Sequence, residues 1–242
     1  MQGCFKSSLS GLRKAPNAQP SHFYAIFFNF SIGLERLLKI LLLLDKWHSE
    51  RLFLTDDDLK AKGHNVENLY NDARALFHKY VVERSEIYKM DSINRDLLNF
   101  LASFANGSRY YNLNVLAGAA PQLSKDPIIR WQRLLYRIYQ QDFPGAGKIV
   151  TSPDATEDAM STSELARHHV IIAAASPHMC WRLVQLIIPL QELLIAISQK
   201  VRQDDFELGG EDTDPSIPPN LEEFLDFVCG DKTIILESED WP

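Results

Sequence analysis

The chain has 242 residues, of which 45% are hydrophobic and 10% aromatic, which is enough for a packed core and too much for a disordered chain. Its formal net charge of -7 excludes capture of nucleic acid by overall charge, because phosphate binding uses clustered Lys and Arg, although a local basic face is compatible with it. The three cysteines lie far apart and none belongs to a CxxC pair, so neither a disulfide framework nor a cysteine zinc site is expected.

Two apolar stretches, 23–44 and 179–198, are long enough to be compared with membrane spans. The first carries three charged side chains in its interior, and the second carries two. Each charge at a bilayer centre would cost about 2.5–3.5 kcal/mol, so both stretches are better explained as buried core helices. The first twenty residues contain no apolar signal region. We therefore predict a cytoplasmic protein with no membrane contact.

The N-terminal region is predicted to pass from a flexible arm into a long helix. Residues 1–20 are rich in Ser, Gly, Pro and Asn, which is typical of a loose segment. From Ser21 to about Trp47, apolar residues recur at three- and four-residue steps and predict one helix with a buried face. A short helix is predicted from Thr55 to Gly63, because three aspartates follow Thr55 and anions stabilise a helix N-terminus.

Three more helices follow in the middle of the chain. Two begin at the capping residues Asn65 and Asp91, and the second of these ends at Asn106-Gly107, a common helix stop. Another spans roughly residues 127–141, where apolar positions again share one face. Residues 142–162 are rich in Gly, Pro, Ser, Thr and Asp and are predicted to form a loop.

The C-terminal part is predicted to change from helix to linker and then to a small appendage. Two helical stretches, 163–175 and 178–203, are separated by a Ser-Pro dipeptide. Residues 204–219 are acidic, with glycine and three prolines, and predict a linker. The tail, 220–242, is predicted to contain a short helix and one β-strand at 232–236, where β-branched residues cluster.

These elements predict an all-α fold, an antiparallel helical bundle over residues 21–203 with at most one short C-terminal β-strand. The bundle divides into a core of about 21–118 and a helical extension of about 119–203. We favour one extended bundle over two domains, because the connection after residue 109 contains apolar residues rather than linker composition.

Three polar elements occur in a fixed order within the core. They are GLERLLK (33–39) inside the long apolar helix, KAKGHNVENL (60–69) at the start of the next long helix, and SRYYNLN (108–114) after the third. Over roughly residues 21–118 this order resembles the HEPN superfamily (higher eukaryotes and prokaryotes nucleotide-binding). In that family a charged ERLLK-like run, a K-x-GH turn and an arginine-led polar motif follow one another.

The resemblance implies a site built around Arg109. Many HEPN proteins are metal-independent ribonucleases in which an arginine stabilises phosphate charge and a histidine four to six residues later acts as acid or base. Here Asn114 stands five residues after Arg109, and an amide cannot carry a proton near neutral pH. The candidate polar site comprises Arg109, Tyr111, Asn112, Asn114 and Glu35. The resemblance also implies a homodimer across the face that bears the motif; no metal or cofactor is expected.

A structural explanation of the same residues stays open. Glu35 and Arg109 are suited to an interhelical ion pair, while Tyr111 and Asn112 are suited to capping helix ends. His64 is suited to capping the turn after the neighbouring glycine.

A second basic feature lies on the helix predicted at 127–141. Arg130, Arg133 and Arg137 share one helical face and are compatible with a phosphate-binding stripe, although such a face is more often simply solvated. If these arginines line the same groove as Arg109, nucleic-acid binding is favoured. If they pair with acidic side chains of neighbouring helices, a protein-interaction role is favoured instead.

Three functional hypotheses follow. The first is a HEPN-like protein that binds RNA, a nucleotide or a protein partner without efficient catalysis. The second is a metal-independent ribonuclease of a toxin or phage-defence kind. The third is a structural or adaptor protein that acts through protein–protein contacts.

Overall fold

The computed structural model describes residues 1–14, 20–81, 90–143, 160–207 and 231–237. Within these ranges the chain forms nine α-helices and two 3-10 turns and contains no strand, which confirms the predicted all-α fold. The helices are α1 Gln2–Lys14, α2 Pro20–Glu50, α3 Asp56–Ala61, α4 Val66–Tyr80, α5 Ser92–Asn106, α6 Tyr111–Leu116, α7 Pro127–Asp142, α8 Thr162–Glu207 and α9 Lys232–Glu237. The 3-10 turns are Ser108–Tyr110 and Leu123–Lys125.

Helix α2 lies at the centre of the bundle and packs against α1, α4, α5 and α8. Its apolar face contributes to an aromatic cluster in which the Phe27 ring lies 4.8 Å from that of Phe100 and 4.6 Å from that of Trp131, measured between centroids. All three side chains are almost completely buried. The cluster joins α2, α5 and α7 in one core, so the region beyond residue 119 packs with the helices before it.

Helix starts in the first half follow the predicted caps. The Thr55 hydroxyl accepts a hydrogen bond from the Asp58 N–H (3.2 Å), and the Asp58 carboxylate accepts one from the Thr55 N–H (2.9 Å). Asn65 caps α4 and Asp91 caps α5 in the same way, each accepting from the backbone N–H three residues later. Since such caps satisfy otherwise unpaired donors, the sequence specifies these boundaries locally.

The predicted flexible arm is wrong for residues 2–14, which form α1. Phe5, Leu9 and Leu12 follow a helical repeat and are fully buried, because this face packs on α2. The Phe5 ring packs against Phe30 at 5.1 Å between centroids. A Cβ at Gly33 would lie 3.0 Å from the Phe5 ring, so the glycine of the GLERLLK run gives the ring the room to approach.

The predicted break at Ser176-Pro177 is also wrong, because residues 162–207 form the single helix α8. The Ser176 hydroxyl donates to the Ile172 carbonyl (2.8 Å), and buried side chains continue on both sides of the proline. Packing on α2 and α7 therefore outweighs the lost backbone hydrogen bond. The helix also extends beyond position 204, where the linker was predicted to begin. Most of the predicted loop (144–159), most of the linker and the predicted helix at 221–228 lie outside the described residues.

The predicted C-terminal strand is a helix. Residues 232–237 form α9, in which the Asp231 carboxylate accepts a hydrogen bond from the Thr233 N–H (2.8 Å) and Ile235 is buried. Helix α9 packs against α8, and Arg13 of α1 donates to the Leu236 carbonyl (3.4 Å). The cap and the docking contacts override the β preference of the Thr-Ile-Ile run, because no neighbouring strand is present in the described ranges to pair with it.

One helix in the described part of the chain, Thr162–Asp204, is long and apolar enough to cross a membrane, with a mean hydropathy of 1.6 over its most apolar window. Within that window, 61% of the residues are buried in the bundle. A core helix of a globular protein meets the same criterion of length and composition.

Candidate functional site

Helix α2, the turn before α4 and the end of α5 enclose an open cleft of about 240 Å³. Its lining residues come from all three polar elements of the sequence and from the apolar side chains between them. They are Phe28, Ser31, Ile32, Glu35, Arg36, His64, Phe104, Ala105 and Arg109. Residues separated by more than seventy positions therefore meet at one surface.

Local geometry brings His64 to this cleft. Gly63 has a φ of 65°, in the left-handed region that glycine adopts without strain, and the chain reverses there between α3 and α4. Immediately afterwards, the Asn65 side chain accepts a hydrogen bond from the Asn68 N–H (3.1 Å) and starts α4. His64 is thus held between a glycine turn and a helix cap.

Glu35 and His64 form a carboxylate–histidine pair at the edge of the cleft. Nδ1 of His64 lies 2.9 Å from Oε1 and 3.1 Å from Oε2 of Glu35. Because a carboxylate only accepts hydrogen bonds, Nδ1 carries the donated proton, and Nε2 is the nitrogen left to exchange protons with a ligand. Lys39 donates to the same carboxylate (2.9 Å) and offsets its charge. The His64 side chain is 74% exposed and that of Glu35 is 16% exposed.

Arg109 is differently placed, because its Nε is buried without a hydrogen-bond partner. Among the described residues, no hydrogen bond or ion pair joins Arg109 to Glu35, so the interhelical ion pair considered from sequence is not formed there. The guanidinium carbon instead lies 4.9 Å from the Tyr110 ring centroid and 5.9 Å from that of Phe28, within cation–π distance of both.

The remaining residues of the predicted polar site do not reach the cleft. Tyr111, Asn112 and Asn114 all lie on the short helix α6, and none of them lines the cleft. Asn112 and Asn114 are exposed, while Tyr111 is partly buried. Of the five predicted residues, the structure brings together Glu35 and Arg109 only.

The arginine stripe of α7 also lies outside the cleft. Arg137 forms an ion pair with Asp96 of α5 and donates to the Ser92 hydroxyl (3.4 Å). The guanidinium of Arg130 lies 5.5 Å from the ring centroid of Phe100, and burial together with the neighbouring Arg133 lowers the pKa of Arg130. None of the three lines the same surface as Arg109, so the stripe does not extend that site. The pair between Arg137 and Asp96 instead meets the condition under which the sequence favoured a protein-interaction role.

A second polar cluster, around Arg182, joins the N-terminus of α5 to α7 and α8. The Arg182 side chain is only 8% exposed; Nη2 donates to Asp142 (2.9 Å), and Nη1 donates to Asp91 and to Asn94 (3.4 Å). Burial opposes the charge of Asp91, but hydrogen bonds from the Asn94 N–H and from Arg182 outweigh it and lower the pKa of Asp91. This is a paired, structural network.

His178 lies at the edge of the same network. Its Nδ1 is 3.5 Å from Oδ2 of Asp142, a distance at which the two attract each other as charges without a hydrogen bond. Burial lowers the pKa of His178, and the attraction to Asp142 opposes this shift only in part.

Within the described ranges, no group of three or more His, Cys, Asp or Glu side chains is arranged to hold a metal ion. No protein-family model, curated protein or solved structure matches the chain. The cleft combines an arginine without a polar partner among the described residues, a second arginine that is exposed and a carboxylate–histidine pair. Such a set of groups is suited to an anionic ligand.

Sequence interpretation gave His64 only a capping role, although the GH dipeptide was part of the resemblance. The signal available in the sequence was the glycine before it, because glycine adopts the left-handed conformation with which the chain reverses at Gly63. Its pairing with Glu35 depends on how α2 and α4 pack, which local sequence does not specify.

Proposed function

We propose that the cleft binds the phosphate group of a nucleotide or of single-stranded RNA at Arg109. The observation that carries this proposal is the Arg109 side chain, which lines the open cleft and has no polar partner among the described residues, so that its buried Nε stays without a hydrogen bond. Leaving a buried donor unsatisfied costs about 1–3 kcal/mol, and more when the group is charged. A phosphate in the cleft would neutralise the guanidinium charge, and the planar guanidinium matches phosphate through two parallel hydrogen bonds.

The charges around the cleft support the same ligand. Arg36 is exposed at its rim and adds a second positive charge, while Lys39 offsets the carboxylate of Glu35. The cleft is therefore locally basic on a chain whose formal net charge is -7. A local basic surface of this kind attracts phosphates over short distances without making the whole protein a polyanion binder.

The test is binding of a fluorescently labelled short single-stranded RNA, measured by anisotropy over a series of salt concentrations. Arg109→Ala is expected to weaken binding by about tenfold to a hundredfold, because hydrogen bonds to charged groups contribute about 1.5–3 kcal/mol. The dependence of log affinity on log salt should also become shallower by roughly 0.7 for each phosphate that the variant no longer neutralises.

Arg167→Ala provides the matched control, since Arg167 is exposed on α8 and lies outside the cleft. It removes the same charge from the chain and should leave both affinity and salt dependence unchanged. Equal affinities for wild type, Arg109→Ala and Arg167→Ala would contradict the proposal.

A second candidate function, cleavage of the bound RNA, is favoured by one specific observation. His64 lines the same cleft as Arg109 and is oriented by Glu35. It precedes α4, whereas the resemblance places the histidine at the position of Asn114 on α6. In such a reaction a base removes the proton of the ribose 2′-hydroxyl, the 2′-oxygen bonds to phosphorus and the bond to the 5′-oxygen breaks. That oxygen takes up a proton, which leaves a 2′,3′-cyclic phosphate and a 5′-hydroxyl.

Cleavage is tested in a single-turnover assay that follows the 2′,3′-cyclic product. If His64 supplies proton transfer, His64→Ala should lower the rate by about a hundredfold or more while RNA affinity stays near the wild-type value. His78→Ala, a change of an exposed histidine on α4 outside the cleft, serves as the control. Absence of the cyclic product from wild-type reactions would reject cleavage and leave binding as the function.

A further inference from the structure

Two exposed aromatic rings stand beside Arg109. Phe28 of α2 is 42% exposed and Tyr110 of the 3-10 turn is 48% exposed, whereas most large apolar side chains in the described ranges are buried. They come from elements that are distant in sequence, and each lies near the Arg109 guanidinium; Phe28 lines the cleft, and Tyr110 lies beside it. Two more exposed apolar residues, Leu113 and Leu116, follow on α6.

Both rings lie close enough to the guanidinium for one ligand to contact all three groups. The Arg109 guanidinium carbon is 4.9 Å from the Tyr110 ring centroid and 5.9 Å from that of Phe28. In a nucleotide, the base is separated from its phosphate by a single ribose. A nucleotide whose phosphate is bound by Arg109 would therefore place its base next to the two rings.

We infer that Phe28 and Tyr110 form a stacking platform for an unpaired nucleobase whose phosphate binds at Arg109. This inference rests on the proposed function, and it adds the unpaired base to the phosphate as a second part of the ligand that the protein recognises. A base in a duplex is stacked between its neighbours and cannot offer a free face to a side chain, whereas an unpaired base can. Because every base has a π face, the platform tolerates different sequences and selects the unpaired state.

The test compares two ligands that carry the same number of phosphates: a short single-stranded RNA and the matching abasic oligomer, which lacks all bases. Wild-type protein should bind the RNA more tightly than the abasic oligomer. Phe28→Ala and Tyr110→Ala should each weaken binding of the RNA by about fivefold to a hundredfold and leave binding of the abasic oligomer nearly unchanged.

Ring-retaining changes and a distant ring provide the controls. Phe28→Trp and Tyr110→Phe keep a π face and should keep RNA affinity near the wild-type value. Phe53→Ala removes a similarly exposed ring, 51% accessible, that lies beside Trp47 and is not one of the rings within cation–π distance of Arg109, and it should affect neither ligand. If an alanine variant fails to fold, as judged by circular dichroism, Phe28→Leu and Tyr110→Leu remove the ring while keeping apolar bulk.

The outcomes separate the two proposals. If the ring variants weaken both oligomers equally or neither of them, the stacking platform is wrong, whereas a loss of both on Arg109→Ala still supports phosphate binding. Equal affinity for a duplex of the same phosphate count would also overturn the platform. If Arg109→Ala changes binding of neither oligomer, the proposed phosphate site is wrong, and the stacking platform, which depends on it, is wrong as well.

Discussion

Two arginines at helix junctions, Arg182 and Arg109, show how the same side chain serves different purposes. Each leaves a buried Nε without a partner. The two Nη groups of Arg182, however, bind Asp91, Asp142 and Asn94, so its charge is neutralised inside the protein. Arg109 lies beside two aromatic rings at an open cleft and has no polar partner among the described residues. We infer that a charge which the fold does not neutralise indicates a binding site for a ligand of opposite charge.

The largest effect is expected for Arg182→Ala. This change leaves Asp142, whose side chain is 11% exposed, as a buried carboxylate without its cation. Removing one partner of a buried pair costs about 3–5 kcal/mol, so the free energy of unfolding in urea should fall by that amount. A loss below about 1 kcal/mol would mean that the network contributes little to stability and would contradict the structural role given to Arg182.

Acid should weaken the same network. The pKa of His178 is lowered from 6.5 in the folded chain, so below that pH the unfolded chain binds a proton that the folded chain resists. The free energy of unfolding therefore falls as pH decreases below 6.5, with a slope of at most about 1.4 kcal/mol per pH unit for one proton. The pKa of Asp91 is lowered from 3.8, so the free energy of unfolding falls further as pH decreases below 3.8.

His178→Gln tests the first part of this prediction. Because glutamine does not titrate, the variant should lose less stability than wild type between pH 7 and pH 5, as measured by urea unfolding at each pH. Identical pH profiles for the two proteins would contradict the role given to His178.

The smallest effect on stability is expected for Arg109→Ala. Since Arg109 has no polar partner to lose among the described residues, the free energy of unfolding should change by no more than about 0.5 kcal/mol. A slight gain is consistent with this account, because the change removes a buried donor without a partner. A loss of about 2 kcal/mol or more would assign Arg109 to the fold.

Local signals in the sequence were sufficient for part of the fold. Apolar periodicity located α2, α4, α5 and α7, and the side chains of Thr55, Asn65 and Asp91 determined where helices begin. These features act within a few residues, so they can be recognised without knowledge of the tertiary structure.

The elements that were mispredicted are those for which tertiary packing decides. Helix α1 has a composition typical of a loose arm, but Phe5 and Leu9 bury a face against α2. Helix α8 continues through Pro177 because residues before and after the proline are buried in the core. Helix α9 is helical because Ile235 packs against the bundle. Propensity is a weak guide where such contacts are available.

The candidate site was predictable only in outline. The sequence singled out Glu35 and Arg109, and the structure brings both to one cleft. It did not indicate which basic residues are neutralised internally, since the pairing of Arg137 with Asp96 depends on how α5 and α7 pack. The contact between His64 and Glu35 likewise depends on the packing of α4 beside α2.

The most direct test of the central claim is to measure, on the same preparations, RNA affinity and unfolding free energy for wild type and for Arg109→Ala. If Arg109 binds phosphate, the variant should lose about tenfold or more in affinity while its free energy of unfolding stays within about 0.5 kcal/mol of wild type. A variant that binds RNA as tightly as wild type, or one that loses affinity only because it unfolds, would contradict it.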